Sequence, residues 1–479
     1  MTGSRKNLND MQSITKDRIS KEGMMYLFEK NFGRICQNDT KPISEIRGKA
    51  LSSFRELGFP NKRMEEWKNT DLTESLGKIY DYNFDPVSGV AGKNIFQCNI
   101  PHLDTAVIGQ LNGWYISKDV PLIELGNGII MGSLAEAMVR YPAIVEKHLA
   151  KYAAFGNNGL TALNTAFAQD GVFIYVPDNV QSPKPVQMIN VIQYTTDIFL
   201  QSRNLIILGK NSRLSLVHCD DSYNHEGSFS NIVTEVFLDE NSFLDHYKLQ
   251  NLNNNSTLIS TTVMQLEKAA HLDSHFLSMN GGLIRNNTRI DFQGNDGVAN
   301  VYGLYLMDRK QHIDNQVFVD HAKPGCTSNE IFKGILDENS SGVFNGHVLV
   351  RKDAQKTNAY QSNRNILLTD TAKANSKPFL EIYADDVKCS HGSTTGQLDS
   401  EALFYLRQRG IGEDSARMLL LYAFAAEVVS KINIPQLRNS IEDMIKKRLQ
   451  GELQICEQCV LHCTTPEHPI EFNIDVSKI

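Results

Sequence analysis

Cys389 and His391 stand two residues apart in the run Asp385-Asp-Val-Lys-Cys-Ser-His-Gly-Ser-Thr-Thr-Gly396. A thiolate and an imidazole are ligands for ferrous iron, for zinc and for iron–sulfur clusters. In extended backbone, positions i and i+2 point the same way, so both side chains could reach one ion. The plainer alternatives are a loop histidine that caps a backbone carbonyl and a cysteine that packs inward as a small hydrophobe. A second ligand set is Cys456, Cys459 and Cys463, with His462 and His468 beside them. Three thiolates and one imidazole suit tetrahedral zinc or an iron–sulfur cluster. Their spacing matches no single metal motif in full, and an exposed, redox-prone tail without metal is the other reading. His312, His321 and His347 share no i, i+4 spacing, so structural roles are expected for them. Cys326, in Lys323-Pro-Gly-Cys-Thr-Ser328, reads as a turn residue that could be exposed. No Ser-His-Asp order, zinc-protease helix or glycine-rich phosphate loop followed by Lys-Ser/Thr stands out. Any ATP hydrolysis must therefore come from a partner.

The elements that would position these residues fall into blocks. Cys389 and His391 follow an extended run, Phe379 to Tyr383, and precede a helical pattern, so they are read as a Gly/Ser/Thr-rich loop at a strand–helix junction. Upstream, from about Leu103 to Tyr383, short β-type runs alternate with Asn/Asp/Gly turns, as in Val172–Val176 and Asn204–Leu208. Leu208-Gly-Lys-Asn-Ser-Arg-Leu214 is echoed thirty residues on by Leu238-Asp-Glu-Asn-Ser-Phe-Leu244, and Leu-Asp-Glu-Asn-Ser recurs at 336–340. Recurrence at tens of residues with β-type runs implies a solenoid whose stacked coils share one core. Asn and Asp tolerate the left-handed backbone of tight corners, which accounts for the Asn-Ser punctuation. A β-sandwich with coincidental echoes is the alternative.

The flanks read as helical. Ile46, Ala50, Leu51 and Phe54 share one helical face, ended by Gly58 and Pro60. Arg63-Met-Glu-Glu-Trp-Lys68 is expected to be a surface helix with Trp67 as a packing anchor. Toward the C-terminus, Asp399 can cap a short helix stopped by Gly410, a long apolar helix spans 415–432, and Pro435 opens a third. The expected division is a helical domain at 1–100, a β-helix at 101–390, helices at 391–451 and a cysteine-bearing tail at 452–479.

With 479 residues, 41% hydrophobic and 22% charged, the composition is that of a soluble globular chain of several domains or one long repeat domain. Its net charge of −7 gives no general pull toward nucleic acid or anionic lipid. No apolar run reaches membrane-spanning length, and the polar N-terminus lacks the apolar core of a signal peptide. Scattered cysteines at 36, 98, 219, 326 and 389 suit a reducing compartment, so the cytoplasm is expected.

The Asp385–Ile411 stretch resembles the C-terminal signature of the SufB/SufD family of iron–sulfur cluster assembly proteins. Arg63-Met-Glu-Glu-Trp-Lys-Asn-Thr70 resembles the N-terminal motif of its SufD branch. Leu163-Asn-Thr-Ala-Phe167 with Asp170–Pro177 resembles the start of the family's β-helix. Asp320-His-Ala322, Ser328-Asn-Glu330, Lys333-Gly-Ile335, Val343-Phe-Asn-Gly346, Ala354-Gln-Lys-Thr357, Tyr360-Gln-Ser-Asn-Arg-Asn365 and Leu380–Tyr383 follow in family order, so the resemblance spans about residues 44 to 450. Ser390-His391-Gly392 stands where the SufB branch has acid-His-acid. Two features depart from the pattern: His347 occupies a position that is often Lys, and the cysteine tail is foreign to it.

The resemblance implies a mainly β protein: a right-handed parallel β-helix between N- and C-terminal helical domains. It implies an assembly component rather than an enzyme, within a SufB–SufC–SufD complex. The β-helix would pair with a SufB-type protein and place His391 opposite a ligand cysteine of that partner. The C-terminal helices, with Phe404, Tyr405, Arg407 and Arg409, would dock a SufC-type ATPase. Iron or a cluster would be held transiently and shared with the partner. Flavin is associated with such complexes, and these residues neither support nor refute it. The rival readings are a stand-alone homodimeric scaffold holding a cluster through Cys389, His391 or the tail, and a polysaccharide-acting β-helix enzyme. The enzyme reading needs paired carboxylates on one face, whereas Asp239, Glu240, Asp337 and Glu338 fall at expected turns.

Overall fold

A computed structural model describes residues 19–86, 100, 102–116, 120–223 and 225–450. The tail cysteines 456, 459 and 463, with His462 and His468, lie outside the described residues. The chain winds as a parallel β-solenoid of about eight turns with helices at both ends. Successive strands alternate between two sheets. One runs from Trp114–Tyr115 and Ala106–Leu111 through Val186–Ile192, Arg213–Ser222, Phe243–Asn251, His271–Asn280, Val298–Met307, Thr327–Leu336 and Asn358–Leu367 to Lys388–Gly396. The other runs from Leu122–Glu124 and Ile130–Ser133 through Val172–Val176, Ile198–Leu208, Ser228–Leu238, Thr257–Leu266, Leu283–Phe292, His312–His321 and Ser341–Val350 to Lys373–Ile382.

Side chains at alternate positions meet between the sheets. Leu214, Leu244, Leu272 and Ala299 stack in register on one side, and Leu208, Leu238 and Leu266 end successive strands on the other. The interior also holds charge. Asp220 faces inward with Lys248 Nζ at 3.2 Å, His218 Nε2 at 3.3 Å and Asn190 Nδ2 at 3.2 Å. Burial works against the Asp220 carboxylate, but the Lys248 ammonium holds it below the usual range.

The Leu-Asp-Glu-Asn-Ser pentapeptides fall at opposite corners of the solenoid, one leaving Ser228–Leu238 and the other leaving Thr327–Leu336. Both copies close alike in part: Ser242 Oγ donates to Asp239 O at 2.7 Å, and Ser340 Oγ to Asp337 O at 2.7 Å. Their backbones differ. At the first corner Asn241 takes the left-handed conformation (φ 56°), as Asn211 does one coil earlier, and the two carboxamides form a ladder with Asn179. At the second corner Glu338 takes it (φ 51°), following Arg309 one coil earlier. Position in the stack, not the pentapeptide, decides which residue turns left-handed.

Helices sheathe both outer faces. Helix α1 (Lys21–Ile35) is capped by Ser20 Oγ, and α2 (Lys41–Leu57) stops at Gly58, whose φ of 64° suits glycine. A single 3₁₀ turn, Glu65–Trp67, replaces the expected surface helix, because this segment is latched to the solenoid. Trp67 is buried with the Arg285 guanidinium 3.8 Å from its ring centre, Arg285 Nη1 donates to Glu66 O at 2.8 Å, and Thr70 Oγ1 donates to Asp314 Oδ2 at 2.5 Å. After α3 (Thr73–Leu76) come α4 (Leu134–Arg140), α5 (Pro142–His148) and α6 (Gly159–Phe167), inside a stretch expected to be β. They cover the sheet ending at Lys373–Ile382 together with α1 and α2. The buried Arg47 of α2 donates to the carbonyls of Ala166 and Ala168 at the C-terminal end of α6. Beyond the solenoid, α7 (Ser400–Gln408), α8 (Glu413–Val429) and α9 (Pro435–Leu449) follow, with α8 and α9 against the outside of the other sheet. No helix among the described residues is long and apolar enough to cross a membrane.

Candidate functional site

Cys389 and His391 lie on the final strand, Lys388–Gly396, and not in a loop. Its glycines and small polar residues have little strand propensity of their own. Nine residues nevertheless pair in parallel with Asn358–Ile366, and a preformed sheet edge outweighs local preference. Cys389 pairs with Ala359, is half-buried and packs against the interior core. Burial pushes its thiol up in pKa, away from the thiolate a metal needs. His391, two positions on and therefore on the same side, is exposed, since no further coil among the described residues covers it.

Beneath His391 runs a polar column. Its register partner is Gln361, whose own partner in the next coil is Glu330, and both are 0% exposed. Gln361 Nε2 donates to Glu330 Oε2 at 2.9 Å, while Gln361 Oε1 and Glu330 Oε1 have no hydrogen-bond partner. Room for the amide comes from Gly346 on the facing sheet, where a Cβ would overlap Gln361 Nε2. Burial pushes the Glu330 carboxyl up to about 8.

That shift yields a stability prediction. The folded chain keeps the Glu330 proton up to about pH 8, whereas an unfolded glutamate releases it near 4.5. Wild-type stability should therefore fall between those values by on the order of 1 kcal/mol per pH unit from this group. Glu330→Gln, which cannot ionise, should gain on wild type as pH rises from 5 to 8 in urea denaturation. An equal difference at both pH values would refute the assignment.

The C-terminal helices divide into a fixed pair and a presented one. Helices α8 and α9 bury Leu421, Ala425, Val428, Leu437, Ile441 and Ile445 against Val217, Tyr247, Leu277 and Leu304 of the sheet. Lys333 donates to Phe424 O at 2.9 Å and pairs with Glu427, and Arg448 pairs with Asp308 at 2.9 Å. Helix α7 starts on Asp399, whose carboxylate accepts from Glu401 N and Ala402 N, and it buries no residue. Phe404 and Tyr405 are 64% and 58% exposed. Arg409 Nη2 donates to Tyr405 Oη at 3.1 Å, and Arg407 pairs with Glu413 at 3.2 Å.

The other residues picked out from the sequence lie away from Cys389 and His391, although His347 touches the edge strand Lys373–Ile382. Cys326 is fully buried in the solenoid core, where its thiol donates to Gly294 O at 3.3 Å, because the turn that carries it folds inward. His321 pairs with Ser328 Oγ at 2.9 Å, His312 lies between Thr70 and Ser341 hydroxyls, and His347 Nε2 meets Glu381 at 3.1 Å. Asp239 and Glu240 sit at one corner, Asp337 and Glu338 at the other. Among the described residues no three His, Cys, Asp or Glu side chains gather into a metal site. Glu330 and Gln361 escaped the sequence reading. Their motifs were visible, but polar residues occupy both faces of Asn358–Leu367, so nothing in the sequence marks Gln361 as the one that points inward onto Glu330.

A family model described as SUF system FeS cluster assembly, SufBD core domain, matches residues 191–424, and one described as SufBD protein N-terminal region matches residues 19–188. The chain is 29% identical over 94% of its length to an iron–sulfur cluster assembly SufBD family protein of Synechocystis sp., covering 97% of that protein. It is 26% identical to the iron–sulfur cluster assembly protein SufD of Escherichia coli over 84% of this chain and 92% of that one. SufD of Bacillus subtilis is 27% identical over 67% of this chain and 74% of its own.

Proposed function

The chain belongs to the SufBD family of iron–sulfur cluster assembly proteins, and on that premise we propose that it acts as the SufD-like member of an assembly complex. It pairs with a SufB-type protein through the open end of its β-helix and shares iron or a nascent cluster there. It docks a SufC-type ATPase through its C-terminal helices, and the ATPase supplies the hydrolysis.

The observation that carries this reading is the last coil, which no further coil caps among the described residues. Among the described residues both sheets end in strands, Lys373–Ile382 and Lys388–Gly396, that have a neighbour on one edge only. Such an edge is a template for a second chain. Exposed Tyr360, Phe379, Ile382 and Tyr383 lie beside it and give apolar area for a partner to cover. His391 stands on that same edge, where the described residues gather too few ligands to hold iron, and a second chain seated there can complete the set.

The test is anaerobic co-expression with SufB- and SufC-type proteins of the same source. Wild type should bring down both partners with a cluster. His391→Ala should keep both partners and its stability to within about 1 kcal/mol, since it removes little buried area, yet lose most of the cluster. Normal cluster content would remove His391 from the site. A stoichiometric cluster reconstituted on the lone chain would replace this reading with a stand-alone scaffold.

A further inference from the structure

We propose that Gln361, held by Glu330, is the positioning residue for His391. Its side-chain oxygen accepts one ring N–H of His391 and leaves the other ring nitrogen turned to the partner for iron. The proposal rests on the reading of His391 given above and adds a residue to it.

Three observations converge. Gln361 is the register partner of His391 and faces inward in the coil directly beneath it. Its amide is already oriented, because Nε2 donates to Glu330 Oε2 at 2.9 Å and fixes which end of the carboxamide faces away. The remaining end, Oε1, is a fully buried acceptor with no donor. A buried acceptor left unpaired is costly, and one that faces the open end of the column is placed to take a donor from the next coil. Glu330 does not supply that donor, since its own Oε1 is also without a partner. Beyond Gln361 in this column the next side chain with an N–H is His391. Gly346 on the facing sheet shows that the site is built for the amide: a side chain there would occupy its space.

The chemistry follows from what an imidazole needs as a ligand. A ring nitrogen binds iron only when it is unprotonated, and the hydrogen bond made by the other nitrogen decides which one that is. In the open coil His391 is exposed. A partner seated on the edge excludes water from the coil and leaves Gln361 Oε1 as the acceptor for its N–H. Glu330, with its proton held to about pH 8, anchors the amide without adding a charge to the column.

The test titrates ferrous iron onto the purified complex against a chelator. Gln361→Met keeps the shape and removes the acceptor, and it should weaken iron binding 10- to 100-fold, the usual cost of losing such a support. Partner co-purification and thermal stability should not change. Gln361→Glu restores the oxygen, with the Glu330 proton taking the place of the amide N–H between the two side chains, and should recover affinity to within about threefold of wild type, which a packing role would not predict. If Gln361→Met fails to assemble, Glu330→Leu removes the anchor instead and should weaken iron binding at unchanged assembly. Wild-type affinity in Gln361→Met, or in Glu330→Leu where that variant is needed, would overturn the proposal while a deficient His391→Ala keeps the site reading intact. Wild-type affinity in His391→Ala would overturn both. Equal losses in Gln361→Met and Gln361→Glu would assign Gln361 to packing and overturn the proposal alone.

Discussion

Glu235→Ala is expected to destabilise the chain by about 3–5 kcal/mol, the cost of stripping one partner from a buried ion pair. Glu235 is 0% exposed, on the outer face of Ser228–Leu238 beneath the helical sheath. Its Oε2 takes Arg203 Nη2 at 2.7 Å and Ala150 N at 2.7 Å, and its Oε1 takes Tyr152 N and Ala153 N, each at 2.9 Å. One carboxylate thus neutralises a buried guanidinium and ties down the backbone after α5, where Ala150 already adopts φ 58°. Alanine would leave Arg203 with its bonds to Asn164 and Thr165 but no counter-charge, and three backbone N–H groups without acceptors. Denaturation in urea by circular dichroism measures the loss. The control is Asp386→Ala, which breaks the exposed pair with Lys356 and should stay within about 0.5 kcal/mol. A Glu235→Ala loss as small as the control's would show that water enters the sheath and solvates Arg203.

The fate of Arg203 also marks where the sequence stops being readable. The repeat was visible because corners need left-handed backbone and small polar residues, and Asn211 and Asn241 carry that signature. Glu338 shows its limit, since the same pentapeptide turns at a different residue when it sits at the other corner. Strands were legible by their β-branched runs, yet Ile198–Leu208 is buried along its whole length on both faces. Alternation therefore says nothing about which of Gln201, Arg203 and Asn204 faces the solenoid interior and which faces the helices. Helices α4–α6 were missed because they interrupt a β stretch and are defined by what they cover. The candidate site was half legible. Cys389 and His391 announce themselves by type and spacing, but their strand is imposed by the sheet edge, and Glu330 and Gln361 join them only through the coil register. Cys326 misled for the opposite reason, since a Pro-Gly turn in a solenoid can point its cysteine into the core.

Phe404→Ala with Tyr405→Ala is expected to weaken docking of the proposed ATPase at least 100-fold while leaving the fold unchanged. An aromatic anchor at an interface centre is worth about 2 kcal/mol or more, and each 1.4 kcal/mol is about tenfold in affinity. Helix α7 is placed to present such anchors. It buries none of its residues, while α8 and α9 are fixed to the sheet through Leu421, Val428, Leu437 and Ile441. Phe404 and Tyr405 are adjacent and exposed, and Arg409 steadies the tyrosine ring from 5.1 Å. An anchor held in place before binding loses less entropy on docking. Because neither ring is buried in the free chain, the double variant should unfold within about 0.5 kcal/mol of wild type. A truncation that removed all three C-terminal helices would not isolate this contact. It would uncover Val217, Tyr247, Leu249, Leu277 and Leu304, which α8 and α9 cover, and so confuse lost docking with aggregation. The measurement is the ratio of ATPase to chain in complexes purified through the SufB-type partner, at several ATPase concentrations. A wild-type ratio for the double variant at the lowest concentration would move the docking surface off α7, and loss of the SufB-type partner together with the ATPase would mean that the helix serves both contacts.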